Sequence, residues 1–202
     1  LPWEEVLKAR KLEMDFFREM GVYTKVHKEM AKRDGCKIIS TRWIDTNKGS
    51  ENNPHFRSRL VGREIKTDSR LDLFSATPPL EVMKFLISHC AQSQNDPRGP
   101  MRLATIDIKR AYFYAPARRN VYISIPVEDR MPGDEDMVGK LNLSLYGTRD
   151  AAQNWASEYT GLLKKLGFIK GIASPCNFSQ PERNILLTVH GDDFLIAGSR
   201  ED

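Results

Sequence analysis

The tetrapeptide His190-Gly191-Asp192-Asp193, set between the apolar runs Ile185–Val189 and Phe194–Ala197, leaves the backbone few choices. It reads as a hairpin tip carrying two adjacent acids. A two-residue hairpin turn favours a residue at positive φ, which glycine reaches without a Cβ penalty. Such a turn holds both carboxylates at the end of a sheet. Carboxylates that cannot move apart call for a compensating cation, and hard oxygen ligands suit Mg²⁺ or Mn²⁺. Asp-Asp in a turn is also ordinary solvated turn chemistry, so the pair gains meaning only from other acids.

A further acid, Asp107, ends the apolar stretch Leu103-Ala104-Thr105-Ile106 and precedes the aromatic turn Ala111-Tyr112-Phe113-Tyr114. Two-metal phosphoryl transfer needs carboxylates from separate strands to hold two cations about 4 Å apart. Asp107 and Asp192 are placed to bridge such a pair. Asp107 taken alone reads equally well as a strand-end acid that caps the next turn. Third in the series is Leu143-Ser144-Leu145-Tyr146-Gly147-Thr148-Arg149-Asp150-Ala151-Ala152-Gln153-Asn154-Trp155.

With these three elements in this order, the chain resembles the reverse transcriptase domain of copia-type retrotransposon polyproteins. There the first palm motif reads roughly Asp-Val-Lys-x-Ala-Phe, the second Ser-Leu-Tyr-Gly-Leu-Lys-Gln-Ala-x-x-x-Trp, and the third Tyr-Val-Asp-Asp. Trp3 with Glu13, Gly21–Val26, Lys37–Ile44 and Phe56–Val61 look like landmarks of the family's fingers region. His190 and Gly191 depart from the usual aromatic and apolar pair, and Gly-Asp-Asp is the habit of RNA-dependent RNA polymerases. Tyr112, five residues after Asp107, decides against that rival, since RNA polymerases place an acid there. An aromatic at this position resembles a steric gate packed where a ribose 2′-hydroxyl would sit; without its neighbouring motifs, Tyr112 would read as a core aromatic. Gly62-Arg63-Glu64 and Thr148-Arg149-Asp150 replace the family's small-basic-Gly and Leu-Lys-Gln runs, with basic character kept at Arg63 and Arg149.

The resemblance implies an RNA-directed DNA polymerase that adds dNTPs to a primer 3′-hydroxyl with two Mg²⁺ or Mn²⁺ ions. It assigns Asp107, Asp192 and Asp193 to catalysis and metal binding. Tyr112, Arg57, Arg59, Gly147 and Arg149 go to the nucleotide. Gly147 reads equally as an ordinary strand-to-helix turn if the resemblance is set aside. Implied partners are an RNA template, a DNA primer and dNTPs, with thumb, ribonuclease H, integrase and protease domains outside this chain. The implied location is intracellular, a virus-like particle for the parent element. The alternative is an inactive remnant or incomplete fragment with at most weak nucleic-acid binding.

At 202 residues, 40% apolar and 29% charged, the chain has the composition of a globular domain large enough for one sizeable core. Nothing approaches a membrane span, and the opening Leu-Pro-Trp-Glu-Glu reads as a slice of something longer. The net charge of +4 is unevenly spread. Lys25, Lys28, Lys32, Arg33, Lys37 and Arg42, then Arg57, Arg59, Arg63, Lys66 and Arg70, suit phosphate contact or form a solvated face. Three scattered cysteines and four histidines lack ligand spacing.

Periodicity predicts a helix over Trp3–Met20, strands at Tyr23–Val26, Lys37–Asp45 and Phe56–Arg63, and an exposed connection at 47–54. A helix begins after Thr77-Pro78-Pro79 and buries Leu80, Met83, Phe85, Leu86, Ile87 and Cys90 on one side. The loop 92–100 leads to the Asp107 strand. Acidic Glu128–Gly139 is expected as a surface loop, and Arg149–Leu166 as a helix closed by Gly167. The fold class expected is α+β: a palm with an antiparallel sheet backed by helices, plus a fingers subdomain, thumb absent. Residues 1–78 form the fingers-like region with the N-terminal helix, and 79–202 the palm-like region with the three motifs.

Overall fold

The computed structural model describes residues 1–65, 75–95, 97 and 99–199. Lys66 and Arg70 of the second basic cluster lie outside them. In chain order the elements are helix α1 (Trp3–Met20), β1 (Tyr23–His27), α2 (Glu29–Arg33), β2 (Ile38–Ile39), β3 (Thr41–Asn47) and β4 (Phe56–Gly62). There follow α3 (Leu80–Gln92), β5 (Arg102–Asp107), β6 (Tyr122–Ile123), β7 (Met137–Leu141) and α4 (Ala151–Lys165). The chain finishes with β8 (Ile169–Lys170), β9 (Asn177–Gln180), β10 (Ile185–His190) and β11 (Asp193–Gly198). Each of two compact units draws on two separate stretches of chain, so neither follows a single cut along the sequence.

The first unit takes residues 112–154 together with the N-terminal stretch. Its larger sheet runs β1-β7-β6-β2, and β3 pairs with β4 as an antiparallel ribbon. Met14 and Phe17 of α1 join Val22, Leu60, Phe113, Ile123, Leu141 and Leu145 in one buried cluster. Helix α1 stops where Gly21 turns left-handed at φ 63°, the backbone choice that a Cβ penalises. The long strand expected over Lys37–Asp45 is interrupted at Ser40, where β2 ends and β3 begins a separate ribbon.

The acidic stretch differs from expectation. Instead of a surface loop, Val127–Asp129 forms a 3₁₀ turn and Met137–Leu141 is an interior strand between β1 and β6. Glu128, Asp129, Asp134 and Asp136 pair with bases from far earlier in the chain. Buried Asp129 accepts from Arg18 Nη2 at 2.6 Å and from the Tyr23 hydroxyl. Lys25 reaches Asp134 at 2.6 Å, and Lys28 pairs with Asp136. Opposite charges from α1, from β1 and from the residue after β1, invisible to a local reading, make burial here tolerable.

The second unit is a five-stranded antiparallel sheet, β5-β11-β10-β9-β8, with a helix on each face. Alternation along β11 sends Phe194 to one face, where it meets Trp155 and Tyr159 of α4 edge-on. Ala197 faces the other way and packs with Leu86 and Cys90 of α3. Helix α3 buries a narrower stripe than expected: Leu80, Phe85 and Ile87 are more than half exposed. Residues 85, 86 and 87 sit about 100° apart on a helix and cannot share one side; the core takes Leu86 and its i+4 neighbour Cys90. Helix α4 starts at Ala151, two residues late, and its buried stripe is Ala151, Trp155, Tyr159 and Leu163.

Candidate active site

All three acids lie in the second unit, at one end of its sheet. Strand β10 turns into β11 through Gly191 and Asp192, with His190 and Asp193 paired across the turn. Gly191 has φ 66° and Asp192 is not at positive φ, the pattern of a II′ hairpin turn, which demands glycine in the first place. The turn is pinned from beneath. Trp155 Nε1 donates to the Gly191 carbonyl at 2.8 Å, so the last residue of the second motif holds the third.

Strand β5 lies against β11 in a register that puts Asp107 directly opposite Asp193. Directly opposed residues project from the same face with Cβ atoms roughly 5 Å apart, and like charges so placed are destabilising. Asp192 precedes them in the turn, and its carbonyl accepts from the Ile108 N–H at 3.0 Å, tying the turn to the end of β5. Asp107 and Asp193 are exposed and Asp192 is half-buried. Among the described residues no three His, Cys, Asp or Glu side chains form a ready-made metal cage. What the described residues do bring together is an opposed carboxylate pair with a third carboxylate on the adjoining turn. Mg²⁺ is commonly held by one or two carboxylates and completes its shell with water and substrate phosphate.

The nucleotide candidates lie in the first unit. Arg57 and Arg59 alternate onto the same face of β4, and Arg42 of β3, opposite Val61, shares it. The other face, with Trp43, Asp45, Ser58 and Leu60, turns towards α1: Arg10 grips Asp45 with Nε at 3.2 Å and Nη2 at 2.6 Å, and lies over the rings of Trp3 and Trp43. That contact holds the Asp45 carboxyl below its ordinary value, against the opposing effect of burial. Tyr112, two residues after the left-handed Arg110 (φ 57°), stacks on Tyr146 with ring centroids 4.3 Å apart. Tyr146 in turn lies under the Arg59 guanidinium, 5.6 Å from ring to carbon.

Gly147 sits at φ 83°, and a Cβ there would stand 2.1 Å from the Gly62 carbonyl oxygen. The backbone it admits is therefore that of β4, whose Gly62 N–H donates to the Tyr146 carbonyl at 2.8 Å. Arg149 is fixed through its main chain, its N–H donating to Glu64 Oε2 at 2.8 Å.

A profile for the family described as reverse transcriptase (RNA-dependent DNA polymerase) matches residues 22–202. The chain belongs to the reverse transcriptase family. It is 25% identical over 202 residues to the retrovirus-related Pol polyprotein from transposon TNT 1-94 of Nicotiana tabacum, covering 96% of this chain and 14% of that protein. The corresponding polyproteins from transposons RE1 and RE2 of Arabidopsis thaliana are each 28% identical, over 80% of this chain and 11% of theirs. The relatives are copia-like, as the motifs implied, and the chain spans about one seventh of their length or less. Among the described residues no helix is long and apolar enough to cross a membrane.

Of the three departures from the reverse transcriptase pattern noted in the sequence, two meet each other in space. Glu64, from the altered run after β4, and Asp150, from the altered run after Gly147, both accept from Arg119 Nη2, at 2.6 and 2.9 Å. Asp150 is buried, and burial, the largest single effect, would raise its carboxyl; the hydrogen bond and charge of Arg119, joined by its own backbone N–H and by Asn154, together hold it low. Sequence reading missed Arg119, Glu64 and Asp150 as a group, because nothing local marks a charge triad assembled from three distant segments. It also passed over Tyr146 as a contact of Tyr112 and Arg59, although all three residues were in view.

Proposed function

We propose that this chain is the nucleotidyl-transfer portion of a retrotransposon Pol polyprotein, an RNA-directed DNA polymerase that extends a DNA primer on an RNA template. The observation that carries this reading is the opposed pair Asp107 and Asp193 beside Asp192, on a turn locked by Trp155. In this role the three carboxylates hold Mg²⁺ or Mn²⁺. Bound there, the ions would lower the charge barrier to attack of a primer 3′-hydroxyl on the α-phosphorus and stabilise the departing pyrophosphate.

The remaining work falls to the protein's own side chains. Arg57 and Arg59 supply positive charge to the triphosphate. Tyr112 occupies the space a ribose 2′-hydroxyl would need and so favours deoxynucleotides. Arg149 adds positive charge at the start of the second-motif helix, and Gly147 fixes the backbone from which it springs. Sequence specificity comes from base pairing, with the protein gripping the duplex through its backbone and shape. We assign the β3–β4 ribbon to the fingers and the five-stranded sheet to the palm. The thumb, ribonuclease H, integrase and protease belong to other parts of the polyprotein, which acts inside the cell.

The test is primer extension on an RNA template with Mg²⁺, by this chain and by Asp107→Asn and Asp192→Asn variants whose circular dichroism matches the parent. Extension that both substitutions abolish supports the assignment. Metal-dependent extension persisting in either variant overturns that residue's role, and a folded parent chain that neither extends a primer nor binds Mn²⁺ is the remnant.

A further inference from the structure

Tyr146 is held on several sides. Its carbonyl receives the Gly62 N–H at 2.8 Å, and the next residue, Gly147, is locked against the Gly62 backbone with no room for a Cβ. Its ring meets the buried Phe113 edge-on, with centroids 5.8 Å apart and planes at 78°. Phe113 is itself wedged edge-on against Phe17 in the core of the unit. The ring of Tyr146 is thus anchored to the rigid part of the fold by backbone on one side and by core on another.

What this anchored ring touches is the candidate nucleotide machinery. Tyr112 lies on it at 4.3 Å with the planes 25° apart, and the Arg59 guanidinium lies over it at 5.6 Å. Tyr112 and Arg59 come from distant parts of the chain, and Tyr146 is the ring both contact. Stacked aromatics and cation–π pairs each favour one relative pose over others. A side chain that discriminates a hydroxyl by steric exclusion must be stiff, because a ring that can swing aside excludes nothing.

We infer that Tyr146 is a positioning residue for sugar selection: it holds the Tyr112 ring in its gating pose and the Arg59 guanidinium in register with it. Sugar and triphosphate recognition then share one rigid stack. This rests on the roles given to Tyr112 and Arg59 under the proposed function.

The experiment is equilibrium binding of Mg–dATP and Mg–ATP to the chain on a primer–template whose primer ends in a dideoxynucleotide, so that no chemistry follows. The readout is the ratio of the two dissociation constants, which loss of overall stability does not move. In Tyr146→Ala the preference for dATP should fall about 2- to 10-fold, the range a stacked aromatic pair supports. Tyr146→Phe keeps the ring and should keep the preference. Tyr146→Leu, which fills the volume without an aromatic face, should match the alanine variant and serves if that variant fails to fold. Tyr112→Ala combined with Tyr146→Ala should show no further loss of preference beyond Tyr112→Ala alone. If Tyr112→Ala erases the preference while Tyr146→Ala and Tyr146→Leu retain it, Tyr146 has no positioning role and the gate assignment stands. If Tyr112→Ala leaves the preference intact, the gate assignment itself falls, and the inference with it. A parent chain that shows no preference between the two nucleotides overturns both.

Discussion

Single residues in this chain often answer to two demands, and the second is seldom local. Gly147 needs a left-handed backbone, which the sequence suggests, and also the absence of a Cβ against Gly62, which only the fold reveals. Gly147→Ala should therefore cost more than the roughly 1–3 kcal/mol of a strained backbone alone. A urea titration checks this; a loss below about 1 kcal/mol would mean that β4 yields easily. Asp193 poses the complementary question. Opposite Asp107 its charge is repulsive without a cation, so Asp193→Asn should leave the metal-free chain as stable or more so while weakening Mn²⁺ binding, measured by calorimetry. That the acids would gather at one sheet end was legible only from the order of the three motifs and the family they resemble, since each acid alone also fits an ordinary turn or cap. Which acid faces Asp107 was not, since a one-residue change of register exchanges Asp192 and Asp193 across the sheet's two faces.

Among the elements, legibility tracked how local the signal was. Helix α1 and the β10–β11 hairpin follow from periodicity and turn chemistry within a few residues, and the structure has both where the pattern puts them. Strand β7 escaped because Met137–Leu141 is short, contains Gly139 and is preceded by acids whose partners, Arg18, Lys25 and Lys28, lie more than a hundred positions earlier. Those partners make a prediction. Asp129→Ala strips the buried acceptor from Arg18 and Tyr23 and should cost about 3 kcal/mol, read as a fall in the denaturant midpoint with the slope unchanged. The hairpin offers a gentler test. Trp155→Phe keeps most of the packing against Phe194 but deletes the bond to Gly191, so it should cost about 1 kcal/mol and speed hydrogen exchange at the turn more than in β9.

For the molecule as a whole, pH dependence should come from carboxylates tied to arginines. Asp45 beside Arg10 and Asp150 beside Arg119 both titrate below the ordinary aspartate value of 3.8. Groups lowered on folding contribute stability that is complete above that value and vanishes as pH falls through the lower folded one. Denaturant midpoints should hold steady from pH 7 to about 5 and drop below about 4, with a shallower drop in Asp150→Asn; a midpoint already falling at pH 6 would point to other groups. The network around Arg119 also joins two of the chain's departures from the family pattern. Its two acids replace residues of the usual pattern and share one cation. Trp155 carries a last consequence, a spectroscopic one. Of the three tryptophans, Trp3 and Trp43 lie together over Arg10, whereas the indole N–H of Trp155 is committed to the turn bearing Asp192. Trp155 is thus placed to report on the proposed metal site: the emission difference between the parent and Trp155→Phe should shift as Mn²⁺ is titrated in, and stay flat when Asp107 and Asp192 are both asparagine.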